Sequence, residues 1–182
     1  MKTVIYIARH SRPFRSLFDE YNSPDDFLLR NIKNPLSVEG GKLAEKMSDL
    51  DELKNVEMFY SSSYVRAMST AKYISEKNNI NLNVDKGFGE RQHGVDGFHI
   101  PEGFELKQWT DLNYKIGNVE PINEVTERMY RTFTKVFNNK GKTIMIVCHA
   151  TELMSLFRKY ADININKSTK KLELYFNNEM VF

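Results

Sequence analysis

Two histidines and two arginines stand where a folded chain could put them to work. Arg9 and His10 close an apolar run, Val4-Ile5-Tyr6-Ile7-Ala8, and His149 closes a second one, Thr143-Ile144-Met145-Ile146-Val147-Cys148. Arg66 follows a third run and sits in Ser61-Ser62-Ser63-Tyr64-Val65-Arg66-Ala67. An imidazole can serve as base, acid or nucleophile near neutral pH. A guanidinium offers a planar fork of donors that matches an oxyanion and stays charged. A strand delivers the groups at its end to the edge of its sheet, and in open α/β sheets ligands bind at the C-terminal edge. Three such ends would gather both imidazoles and both cations at one place.

The elements that must position them follow from periodicity. Residues 3–8, 57–60, 82–84 and 143–148 read as short buried strands, the last the strongest. Ser37 is placed to cap a helix whose face is Leu43, Met47 and Leu50, with Gly40 and Gly41 weakening its first turns. Residues 64–77 form a helix on the face Ala67, Ala71 and Ile74, ended by Asn78-Asn79. Residues 123–138 form an amphipathic helix on Val125, Met129, Phe133, Val136 and Phe137, and residues 151–160 another on Leu153, Leu156 and Phe157. Residues 172–176 and 180–182 read as C-terminal strands around an Asn177-Asn178 turn. Residues 11–36 read as a long loop with one helical turn near Asp25–Arg30. Residues 85–122, with six glycines, form a second irregular stretch of the kind that builds lids and binding loops. Alternating strands and helices predict a three-layer α/β/α sandwich with a mostly parallel central sheet.

The 182 residues fit one domain, 1–182. A net charge of +2, with basic residues scattered among acidic ones, argues against nucleic acid as a partner. No segment approaches the roughly 18–20 apolar residues of a membrane helix. The N-terminal apolar run is shorter than a signal peptide's core of about 7–15 residues. With a single cysteine, no internal disulfide is expected. These features together predict a cytoplasmic protein that associates with neither membrane nor nucleic acid.

The order of motifs goes further. Arg9-His10, then Pro35-Leu36-Ser37-x-x-Gly40, then Ser62-Ser63-x-x-Arg66-Ala67-x-x-Thr70-Ala71, then Glu90-x-x-x-Gly94-x-x-Gly97, then a strand ending in Cys148-His149 resembles the histidine phosphatase superfamily, the phosphoglycerate mutase-like proteins. The helix carrying Glu124-Val125-x-x-Arg128-Met129 resembles the one that precedes the family's last active-site strand. The resemblance implies roles. His10 is the nucleophile that takes the phosphoryl group, Glu90 is the general acid/base, and Arg9, Arg66 and His149 form the phosphate pocket. Arg15 and Ser11 are further candidates for phosphate contact, and Arg12 and Arg91 for a second anionic group. No metal and no cofactor are implied.

The chemistry suits these types. Phosphoryl transfer spreads charge over three equatorial oxygens that fixed cations stabilise. Nearby arginines keep the nucleophilic imidazole neutral. A carboxylic acid protonates the leaving oxygen and then accepts a proton from water, which requires a raised carboxyl pKa that a phosphate dianion would supply. The implied activity is metal-independent hydrolysis of a phosphomonoester on a small phosphorylated metabolite, with a phosphoprotein as the second substrate class. A mutase, or a silent phospho-ligand binder, is the alternative.

Other readings carry less. His93, Asp96 and His99 lack the spacing of a metal site. Cys148 and His149 are strand neighbours on opposite faces, which makes Cys148 packing rather than a catalytic thiol. Phe98, Phe104, Trp109 and Tyr114 either line a lid or anchor the long loop. Ser11 and Ala150 stand where the family has glycine. A positive φ at either would add strain of order 1 kcal/mol.

Overall fold

Strand β4 (Thr143–Cys148) organises the molecule, because both of its faces are apolar. Side chains alternate across a strand. Met145 and Val147 therefore point into one core, with Phe59, Ala67, Ala71 and Ile74. Ile144, Ile146 and Cys148 point into a second, with Phe88, Met129, Val136 and Leu156. A strand buried on both faces belongs inside a parallel sheet covered by helices on each side. The computed structural model describes residues 2–14, 23–94, 96, 99–166, 168–169, 171–176 and 179–180.

β4 pairs in parallel with β1 (Val4–Arg9) on one side and β2 (Met58–Ser61) on the other, and β2 pairs in parallel with β3 (Leu82–Val84). The order is β1-β4-β2-β3. Helix α3 (Val65–Asn78) buries Ala67, Ala71 and Ile74, as its periodicity requires, and ends where Asn79 turns left-handed at φ 51°. On the other face lie α5 (Ile122–Phe137) and α6 (Ala150–Phe157). This is the expected three-layer α/β/α arrangement.

Four expectations change. Residues 11–36 contain a ten-residue helix, α1 (Pro24–Lys33), rather than one turn. Its ends are well marked: Ser23 Oγ accepts from the Asp26 amide, Pro24 opens the helix, Asp25 and Asp26 follow, and Arg30 and Lys33 close it. Helix α2 (Val38–Met47) is capped by Ser37, but it buries Gly40 and Ala44 and leaves Leu43 exposed, so small residues form its packed face. The irregular stretch contains a short helix, α4 (Phe104–Thr110). The C-terminal strands form an antiparallel sheet of their own, β5 (Asp162–Asn166), β6 (Lys171–Phe176) and β7 (Glu179–Met180), and β5 carried too little apolar signal to be read. Asn177 and Asn178 lie outside the described residues. No described helix is long and apolar enough to cross a membrane.

The small face of α2 has a purpose. Ser37 N donates to Arg12 O (3.1 Å), and Phe14 N to Pro35 O (2.8 Å), which ties the segment after His10 to the start of α2. A Cβ at Gly40 would stand 2.0 Å from Arg12 O. Gly40→Ala should therefore destabilise the fold by about 1–3 kcal/mol in chemical denaturation, despite alanine's better helix propensity. An unchanged or raised midpoint contradicts this close approach.

Candidate active site

The parallel ladder continues past the strand ends and sets the site. His10 N donates to Cys148 O (2.9 Å) and Ser62 N to Val147 O (2.9 Å), so His10, Ser62 and His149 share one edge. The two imidazole rings meet edge to face with centroids 5.1 Å apart, and Tyr64 packs on His149 in the same way at 5.0 Å.

The tautomer of His10 follows from its partners. Its Nδ1–H donates to Ser11 O (2.7 Å), the only role open to nitrogen facing a carbonyl, which leaves the lone pair on Nε2. Arg66 Nε donates to that Nε2 (3.1 Å). Arg66 is only 5% exposed. It also donates through Nη1 to Asn31 O of α1 (2.6 Å) and through Nη2 to Glu90 Oε2 (3.3 Å). The same Glu90 oxygen stands 3.4 Å from His149 Nδ1, while His149 Nε2 meets Ser62 Oγ at 2.8 Å.

Burial lowers the His10 imidazole to about 4. The charges of His149, Arg66 and Arg9 add to the effect, and the Ser11 carbonyl opposes it. Burial likewise lowers His149, with Arg66 and Arg9 helping and Glu90 resisting. Both rings are neutral at physiological pH. Burial alone would raise Glu90, but the hydrogen bond from His149 and the charge of Arg66 hold it below the usual carboxylate range. The protein's own groups keep it ionised, so any raised state has to come from a bound anion or a further proton source.

The loop that carries Glu90 is held by a clamp missed in the sequence. Arg128, on α5, donates through Nη1 to Gly87 O and Gly89 O (2.9 Å each), and its Nε and Nη2 grip Glu120 (2.8 Å each). Glu120 in turn accepts from Gln92 N at 2.9 Å. The signal was present as an arginine on an otherwise apolar helical face, but its acceptors are mainly backbone carbonyls, which a sequence does not mark.

The remaining candidates fall into place individually. Arg9 is exposed at the end of β1, and its charge reaches both histidines. Ser11 is engaged within the chain: its amide donates to Thr70 Oγ1 (2.9 Å) and its hydroxyl to Gly40 O (2.8 Å). Neither Ser11 nor Ala150 has positive φ, so the missing glycines cost no backbone strain. Arg15 lies outside the described residues, as does Phe98. Arg91 is buried and committed to Gln108 (2.5 Å) and Glu105 (2.9 Å), and Arg12 pairs with Glu39. Phe104 is buried against Tyr114, an anchor of the long loop. Cys148 is buried packing.

Ligand atoms of His10, Glu90 and His149 lie within 4.8 Å of one another, close enough to share a metal ion. Arg66 occupies the same ground, however, donating to His10 and pairing with Glu90. A fixed guanidinium there disfavours a divalent cation and favours an oxyanion.

Comparison with known proteins agrees on the architecture. A family profile described as histidine phosphatase superfamily (branch 1) matches residues 5–175. Among solved structures, a mycobacterial glucosyl-3-phosphoglycerate phosphatase superposes with a TM-score of 0.67 at 16% identity, covering 85% of this chain and 77% of its own. A phosphoglycerate mutase from Bacillus anthracis gives 0.60 at 16%, covering 97% and 89%. A phosphoserine phosphatase variant from Entamoeba histolytica, in complex with phosphoserine, gives 0.60 at 15%, covering 99% and 94%. A search of curated protein sequences finds no significant match.

The His10 environment is directly measurable. Its ring resonances should titrate by NMR with a midpoint near 4. Because the unfolded value is higher, about 6.5, the unfolded chain binds the extra proton first. Stability should then fall as pH drops from about 6.5 towards 4, by on the order of 3 kcal/mol from this group. A His10 midpoint near 6.5 contradicts the burial account.

Proposed function

The chain belongs to the histidine phosphatase superfamily (branch 1), and from that premise we propose that it hydrolyses phosphomonoesters through a phosphohistidine formed on His10. The observation that carries this reading is the state of His10: buried, neutral, its Nδ1–H fixed on Ser11 O and its Nε2 lone pair facing Arg66. That is a nucleophile aimed at the place where a cation would hold an anion.

The reaction runs in two displacements. The phosphoryl group of the substrate replaces Arg66's contact with Nε2, and the Arg66 fork takes its equatorial oxygens, with Arg9 and His149 adding charge and hydrogen bonding. Nε2 attacks phosphorus in line, the P–O bond to the leaving group breaks, and Glu90 gives a proton to the departing oxygen. Water then attacks the phosphohistidine, Glu90 takes its proton, and phosphate leaves with His10 restored. The dianion raises Glu90 towards the protonated state that its neighbours alone oppose. No step calls for a metal ion or cofactor.

A small phosphorylated metabolite is the substrate class we favour. The comparison proteins named for glucosyl-3-phosphoglycerate and for phosphoserine support it. The mutase alternative differs in the fate of the phosphohistidine, which would return its phosphoryl group to a bound alcohol.

His10→Ala should lower kcat on an aryl phosphate by roughly 10³-fold or more while circular dichroism stays native. Incubation with phosphoglycerates should release inorganic phosphate. Undiminished turnover in the variant overturns the nucleophile assignment, and isomerisation without phosphate release replaces hydrolysis by mutase activity.

A further inference from the structure

The two displacements need a proton on Glu90, and the groups around Glu90 hold it ionised. Glu152 bears on this conflict. It stands in the first turn of α6, three residues beyond His149, and is 0% exposed. Neither of its oxygens has a hydrogen-bond partner among the described residues, and the Arg128 guanidinium comes only to 3.5 Å of Oε1. A carboxylate buried with so little compensation is costly, whereas a carboxylic acid there costs far less and has a proton to place.

An acceptor is beside it. The side chains of Glu90 and Glu152 are within hydrogen-bonding reach of each other. Two carboxyls this close disfavour joint ionisation, so one of them holds a proton in the resting site. Burial, and then the charge of Glu90, push Glu152 well above the ordinary carboxyl range. The other groups facing it leave Glu90 as the partner for its proton. Tyr64, at the start of α3, is raised to about 12, and the Cys148 thiol of β4 is also pushed up, both first by burial, so both keep their own protons. His149 already faces Glu90 and Ser62. Arg128 Nη2 stands 3.5 Å from Glu152 Oε1 with its guanidinium engaged by Glu120, Gly87 O and Gly89 O.

We propose that Glu152 is the proton store of this site: a buried carboxylic acid that donates to Glu90 and exchanges its proton with it during turnover. The inference rests on the phosphatase reading above. As the phosphate dianion binds, the O–H bond of Glu152 breaks and one forms on Glu90. Glu90 passes that proton to the leaving oxygen as the P–O bond breaks and the P–N bond to His10 forms. Glu152, now a carboxylate, faces the Arg128 guanidinium. When water cleaves the phosphohistidine, its proton returns through Glu90 to Glu152, and the cycle closes with no net change. Glu152 touches neither substrate nor phosphorus, so it is a positioning residue that acts through Glu90.

The leaving group provides the test. Nitrophenolate departs without a proton, while the alkoxide of glycerol phosphate does not. Glu152→Gln should lower kcat on glycerol phosphate by about tenfold to a hundredfold and leave nitrophenyl phosphate within about threefold. An equal loss on both substrates, or no loss on either, overturns the proposal while leaving the phosphatase reading intact. A wild-type protein inert to both removes that reading and this inference with it. Infrared spectroscopy of the wild-type protein at pH 7 supplies an arm that needs no variant. A protonated-carboxyl carbonyl band is expected, and its absence overturns the proposal.

Discussion

Everything in the site depends on one buried cation. The Arg66 guanidinium, placed by the second residue of α3, spends its three nitrogens on three different parts of the chain: His10 beyond β1, Asn31 O in α1, and Glu90 in the loop after β3. It stacks over Tyr64 at 4.8 Å, the residue that caps its own helix. A guanidinium removed from water needs compensation, and here it has one carboxylate at a long 3.3 Å, a carbonyl and a neutral imidazole. Burial does most to keep both rings neutral, and the charges of Arg66 and Arg9 add to it, so the edge the rings share suits an anion.

The architecture serves that arrangement. β4 must be apolar on both faces to lie between two cores, and so its end comes to lie between those of β1 and β2. The ladder bonds from His10 and Ser62 onto β4 then fix the edge that carries His10, Ser62 and His149 without any contribution from side chains. On the far side, Arg128 holds Glu90's loop by its carbonyls and is itself held by Glu120. The two arginines divide the work: one organises charge around His10 and Glu90, the other sets the backbone that carries Glu90.

Much of this was legible in the chain, for physical reasons. Strands β1 and β4 and helices α3 and α5 announce themselves because a strand covered on both faces is a continuous apolar run and a helix buried on one face repeats its apolar residues with period 3.6. His10, Arg66, Glu90 and His149 could be picked out because their motifs occur in a recognisable order, and the structure brings all four together. Other parts were hidden. The packed face of α2 is Gly40 and Ala44, and small residues chosen for close approach leave no hydrophobic signal. Helix α1 was masked by Pro24, which reads as a breaker until Ser23 is seen to cap it. The partners of Ser11, Thr70 and Gly40, are distant in the chain and visible only in three dimensions. Glu152 reads as a surface residue of a short helix, and nothing local shows that it is sealed against Glu90.

The most direct measurement is to trap the phosphoryl group. The enzyme is mixed with an excess of aryl phosphate, quenched in base during turnover and examined by phosphorus–nitrogen NMR and peptide mapping. The account predicts a base-stable, acid-labile phosphoramidate on Nε2 of His10. Phosphate on any other side chain, or steady turnover with no phosphorylated protein at any time after mixing, would contradict it.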